Sequence, residues 1–217
     1  MLSRMFTLMF CLCAAVFLGA SSVQASAVGP DRFVIYDRLV GEGPATGEMT
    51  IGADANVWPG PQFSTILSTV EEGEVVNCLK TQIGTYPRHK EVRLLETQTF
   101  EYAYRLEPGA EELSWKELQD MSPQTVTVPA GESIYFMMYT GEGTYCAWYN
   151  GMLLAWVQPF HIKNFNAGVG IEAQEPYWGE YLSGEPIETN AWFYIVKADG
   201  TVGWIYQNAK PMAKMMF

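Results

Sequence analysis

Apolar runs broken by Gly, Pro, Asn-Gly and Asp-Gly, rather than a helical period, set the pattern of this chain. Residues 192–196 (Trp-Phe-Tyr-Ile-Val) are wholly apolar, as in a strand buried on both faces. Ala198-Asp199-Gly200-Thr201 interrupts the run, and Val202, Trp204, Ile205 and Tyr206 resume it. This is the signature of a two-strand hairpin. Residues 148–157 repeat the arrangement around Asn150-Gly151, again a type I′ signal. Near the start, residues 33–36, joined by Leu39-Val40, predict another strand. Leu113, Trp115 and Leu118 predict one short helix between Glu111 and Met121, stopped by Ser122-Pro123. The expected class is all-β with a short helix in one loop.

A longer recurrence overlies these elements. An apolar residue, a small linker, Gly-Glu and a further apolar stretch recur at Gly73-Glu74, Gly131-Glu132 and Gly184-Glu185. Gly84-Thr85-Tyr86 corresponds to Gly143-Thr144-Tyr145, and Ala155-Trp156-Val157 to Gly203-Trp204-Ile205. The spacing implies a unit of roughly fifty residues, read as repeated supersecondary structure.

Asn56-Val57-Trp58-Pro59-Gly60-Pro61, the turn-and-strand stretch 70–76 and the ending 192–205 resemble bacterial Src-homology-3-like domains. The pattern of that family starts Asn-Val-Arg-x-Gly-Pro and ends Gly-Trp-Val; here Trp58 stands in place of the basic residue. The resemblance implies small, strongly bent, non-catalytic barrels in tandem that bind peptide or cell-wall material. Its units would be 28–96 with the N-terminal strand, 97–160, and a shorter 161–217 with the tail. A single barrel begun at Asn56 and finished at Ile205, with a large insertion, fits the same fragments.

Composition narrows the setting. Of the 217 residues, the first 27 read as a cleaved secretory signal. Arg4 precedes an uncharged apolar run from Phe6 to Ala20, and Val23-Gln24-Ala25 and Ala25-Ser26-Ala27 both offer small-x-small cleavage sites. The expected location is periplasmic or secreted, with no stable membrane insertion after cleavage. Beyond residue 27, 12 basic residues face 24 acidic ones, a net charge of −12. That balance argues against nucleic acid, whose phosphates demand clustered Lys and Arg. Cys78 and Cys146 remain after cleavage, and an oxidising compartment makes a disulfide between them possible.

Candidate chemistry is sparse. His89 and His161 lie far apart, and neither stands at ligand spacing with a cysteine. No metal or other cofactor is expected. The adjacent acids Glu71-Glu72 and Glu111-Glu112 would point to opposite faces of a strand, which ill suits shared catalysis. Aromatic side chains remain, since peptide prolines and sugar rings both bind ring faces. Trp58, Tyr177, Trp178 and Trp148 are the expected ligand-binding residues, with Trp192 a further candidate, whereas Trp156 and Trp204 are assigned to the core. The expected partners are peptide, peptidoglycan or an envelope protein. A structural or assembly subunit and a carbohydrate-active enzyme are the alternatives.

Overall fold

The computed structural model describes residues 29–38, 46–166, 172–187 and 189–209. The expected signal, the Leu39-Val40 extension of the first strand and the tail from residue 210 lie outside the described residues. In chain order the strands are β1 (Phe33–Tyr36), β2 (Gly47–Thr50), β3 (Ala55–Val57), β4 (Ser68–Val70) and β5 (Val75–Thr85). There follow β6 (Glu91–Leu94), β7 (Gln98–Arg105), β8 (Glu112–Ser114), β9 (Gln124–Val128), β10 (Ser133–Gly141) and β11 (Thr144–Tyr149). The last are β12 (Met152–Val157), β13 (Ile162–Lys163), β14 (Gly179–Tyr181), β15 (Thr189–Val196) and β16 (Val202–Ala209). One short helix, α1 (Trp115–Asp120), follows β8. The all-β class is as expected.

A six-stranded sheet runs β16-β15-β5-β1-β8, with β2 also on β5. An eight-stranded sheet runs β13-β14-β6-β10-β11-β12-β7-β9, and β3 and β4 form a separate ribbon. These sheets are not closed barrels, so the small closed barrels expected from the family fragments do not form. The pairings also cross the expected unit boundaries. β5, before residue 97, lies beside β15, beyond residue 161, and β6 lies between β10 and β14.

Side chains alternate between two cores. From the eight-stranded sheet, Met137, Cys146, Trp148 and Leu153 face Phe33, Ile35, Ile83 and Phe193 of the six-stranded sheet. Their sequence neighbours Phe136, Tyr145, Ala147 and Leu154 face a second cluster with Val92, Phe165 and Tyr181. The central strands β10 to β12 are therefore buried on both faces, which is why residues 133–157 read as an almost continuous apolar run. The sheet curls around this second cluster: Phe100 of β7 meets Trp178, beside β14, at 6.4 Å between ring centroids.

Turn chemistry fixes the hairpins. Asn150 and Gly151 both have positive φ (45° and 77°), the type I′ form that Asn-Gly favours. Glu142-Gly143 adopts the same form (51° and 74°) and joins β10 to β11 without a usual sequence signal. In the β15–β16 hairpin only Gly200 has positive φ, at 85°. Lys197 N–H donates to the Thr201 carbonyl at 2.9 Å, leaving a three-residue loop with its left-handed position on glycine rather than a type I′ turn. The expected helix is present. Ser114 Oγ accepts from Lys116 N–H at 3.2 Å and Glu117 accepts from Ser114 N–H at 2.9 Å, a capping box.

Candidate functional site

The outer face of the six-stranded sheet, away from both cores, carries a groove lined mainly by aromatic side chains. Alternation along β15 sends Ala191, Phe193 and Ile195 into the core and turns Asn190, Trp192 and Tyr194 outward. The register places Gly84 opposite Asn190, and Tyr206 opposite Trp192. Arg32 and Tyr86, flanking strands β1 and β5, project to the same face by the same alternation. Gly84 forms a floor without a side chain.

The roof is Phe63, from the loop between β3 and β4. Its ring lies 5.1 Å from Trp192, 5.0 Å from Tyr206 and 5.3 Å from Trp58, between centroids. The contacts with Trp58 and Tyr206 are edge-on, the arrangement aromatic quadrupoles favour. Phe63 is nonetheless 67% exposed, so its free face looks onto solvent. The loop is held at its base by Leu67 N–H donating to the Val57 carbonyl at 2.8 Å. It is held laterally by a two-way backbone bridge, Trp58 N–H to Trp204 O at 2.8 Å and Trp204 N–H to Trp58 O at 2.7 Å. Gly203 permits that approach: a Cβ there would lie 2.5 Å from Val57 Cγ1 and 2.7 Å from the Trp58 carbonyl oxygen.

Polar groups rim the groove. Tyr206 O–H donates to Asn190 Oδ1 at 2.7 Å, and Asn190 Nδ2 donates to the Tyr86 hydroxyl oxygen at 3.0 Å. The cavity measures about 230 Å³. That is below the roughly 300–1,000 Å³ of sites that engulf a small molecule, and suits one or two side chains of a larger ligand. None of the lining residues is a nucleophile paired with a base.

The expected site residues are dispersed. Trp58 belongs to the groove's aromatic cluster, half-buried and packed edge-on against Phe63 and Trp192. Tyr177 and Trp178 lie by the eight-stranded sheet, where the Trp178 carbonyl accepts from Leu95 N–H at 2.8 Å and its ring packs on Phe100. They share no groove with Trp58. Trp148 is a correction: it is 6% exposed, packed on Phe33 in the first core at 6.1 Å, and offers no ligand face. Trp156, expected in the core, is 45% exposed. There β12 places Ala155 and Trp156 opposite the single residue Cys146, a bulge, and Trp156 takes φ +60°. Trp204 is half-buried against Tyr194, 5.1 Å away.

Phe63, Asn190, Tyr86 and Arg32 escaped the sequence reading. The signal that could have found Phe63 is a large ring in a Pro/Gly/Ser loop, where core burial is unexpected.

Cys78 and Cys146 stand as separate buried thiols, so the possible disulfide is not formed. Burial pushes Cys78 up to about 11 and Cys146 up to about 12, against an ordinary value of 9.0. Neither is an activated nucleophile. Among the described residues no group of His, Cys, Asp or Glu is placed to hold a metal ion, and no helix is long and apolar enough to cross a membrane. No family model matches the chain, nor does any curated protein or solved structure with which it was compared.

Proposed function

We propose that this chain is a non-catalytic binding protein of the bacterial cell envelope, periplasmic or secreted, that docks an extended peptide in the aromatic groove over Gly84. The observation that carries the reading is the exposed Phe63 ring roofing a side-chain-sized cavity beside Trp192 and Tyr206. Rigid rings give contact area at low entropy cost, and small apolar side chains such as proline stack on them without needing a matched hydrogen bond. The signal-like start and the Src-homology-3-like fragments are consistent with such a module. Peptidoglycan is the competing ligand, because sugar rings use the same faces.

A peptide array and a pull-down on purified sacculi, each run with the native chain and with Phe63→Ala and Gly84→Leu, test this. A Cβ at Gly84 would meet nothing closer than 3.8 Å, so a larger side chain fills the groove without disrupting the sheet. Peptide capture abolished by both substitutions is expected. Sacculus retention alone replaces peptide by wall glycan, and capture unaffected by either substitution overturns the assignment.

A second reading, an assembly subunit with a folded envelope partner, draws on the same loop. Phe63, Ile66 and Leu67 are 67%, 50% and 53% exposed, an apolar edge beside the groove. A stable protein co-eluting on size exclusion of native extract, lost with Ile66→Ser and Leu67→Ser but retained with Gly84→Leu, would favour it.

A further inference from the structure

The groove's polar groups are unevenly matched, and the mismatch specifies a ligand. Resting on the reading of the groove as a peptide site, we infer that it selects a peptide carrying a carboxylate next to the apolar residue held by Phe63. Among the described residues, Arg32 is the only charged one lining the cavity. It is exposed and makes no hydrogen bond or ion pair among the described residues. Its acidic neighbour Asp31 is already engaged by Arg88 at 2.6 Å. The cavity therefore presents an uncompensated cation on a chain whose net charge is −11.

The internal hydrogen bonds push in the same direction. Asn190 Oδ1 already accepts the Tyr206 hydroxyl proton, which leaves it one lone pair. The Tyr86 oxygen accepts from Asn190 Nδ2, which leaves the Tyr86 O–H proton to donate outward. The second Nδ2 proton of Asn190 is a donor as well. Arg32 Nε lies 3.9 Å from where a Gly84 Cβ would be, so the guanidinium reaches the floor. Gln62, which offers both donor and acceptor, is the remaining polar side chain of the lining. A guanidinium, a phenol proton and an amide proton converging on a half-apolar cavity match an anionic, planar acceptor, which arginine can bind through two parallel bonds.

The carboxylate can come from a Glu or Asp side chain or from a peptide C-terminus, and the test separates these. Fluorescence polarisation would compare labelled octapeptides alternating Pro and Glu, acetylated and amidated, with the Pro-Gln counterpart and with the Pro-Gln peptide bearing a free C-terminus. Expected is at least tenfold weaker binding for the capped Gln peptide than for the Glu peptide. Arg32→Gln should remove that difference while keeping the weaker binding. Recovery with the free C-terminus alone assigns the carboxylate to the chain end, and recovery with Glu alone assigns it to a side chain. Binding that is lost in Phe63→Ala but equal for capped Glu and Gln peptides overturns the carboxylate selection and leaves the peptide site standing. No binding of any of these peptides overturns both.

Discussion

Gly203→Ala is the sharpest perturbation the structure offers. The new methyl carbon would lie 2.5 Å from Val57 Cγ1 and 2.7 Å from the Trp58 carbonyl oxygen, where carbon contacts normally settle at about 3.5–4.0 Å. Neither neighbour can swing aside. Val57 is fully buried and β-branched, and the carbonyl is held by Trp204 N–H. The ribbon of β3 and β4 must therefore retreat from β16 by about 1 Å. Overpacking of this kind costs about 1–3 kcal/mol. The two bridging hydrogen bonds contribute about 0.5–1.5 kcal/mol each when made. The terms overlap, so the expected loss is about 2–4 kcal/mol. Urea unfolding followed by circular dichroism should show a lower midpoint at unchanged slope. Gly84→Ala is the control in the same sheet. Its Cβ meets nothing closer than 3.8 Å, and it should be neutral or stabilising by up to about 1 kcal/mol through the unfolded chain. Because Trp58 supports Phe63, Gly203→Ala should also weaken peptide binding without touching the groove. If Gly203→Ala unfolds within about 0.5 kcal/mol of the native chain, the reasoning about close approach is wrong.

Three further outcomes are expected. Trp148→Ala should destabilise by about 3–5 kcal/mol as a core truncation, whereas Trp156→Gly should cost under about 1 kcal/mol, since glycine relieves the positive φ; thermal unfolding of both checks this. In a chain beginning at residue 28, a thiol reagent at pH 8 should label neither cysteine natively and both in denaturant. The stability due to keeping these thiols neutral is full below the ordinary thiol value near 9.0 and declines as pH rises towards about 11 and 12, because only the unfolded state ionises in that window. The urea midpoint should therefore fall from pH 8 to pH 10, and less steeply in Cys146→Ala. Lys90, 7% exposed, donates Nζ to the Pro186 carbonyl at 2.6 Å and sits 3.5 Å from Glu185. Lys90→Ala should cost about 1–3 kcal/mol by orphaning that carbonyl and emptying the space of the stem, measured by urea unfolding.

Local chemistry was readable where one residue type alone satisfies the backbone. Asn150-Gly151 announced its type I′ turn and Asp199-Gly200 its hairpin, though the latter closes as a three-residue loop. The repeated Gly-Glu also has a structural meaning, though a smaller one than a domain. Gly73 and Gly131 take φ +85° and +89° in matching turns that launch β5 and β10, one central strand in each sheet. What sequence could not supply is partner choice across distance. Nothing in residues 189–196 says that they lie beside 77–84 rather than beside their own neighbours. Burial of individual tryptophans failed for the same reason. Trp156 and Trp204 look alike in sequence, yet a bulge opposite Cys146 turns the first outward while the Trp58 bridge half-covers the second. The groove was legible only as a surplus of rings, since its membership depends on register between strands more than a hundred residues apart.

That remote pairing has a consequence for biosynthesis. β5 ends at residue 85, and the strand that covers its flank, β15, does not begin until residue 189. As the chain emerges from the ribosome, at about 5–20 residues per second, the apolar flank of β5 stays unpaired for several seconds at least. An open edge of that kind is a template for pairing with another chain. The sheet that carries the groove is therefore the last part to close, and a chain truncated before the β15–β16 hairpin should be captured by holding chaperones or aggregate, not merely lose its ligand.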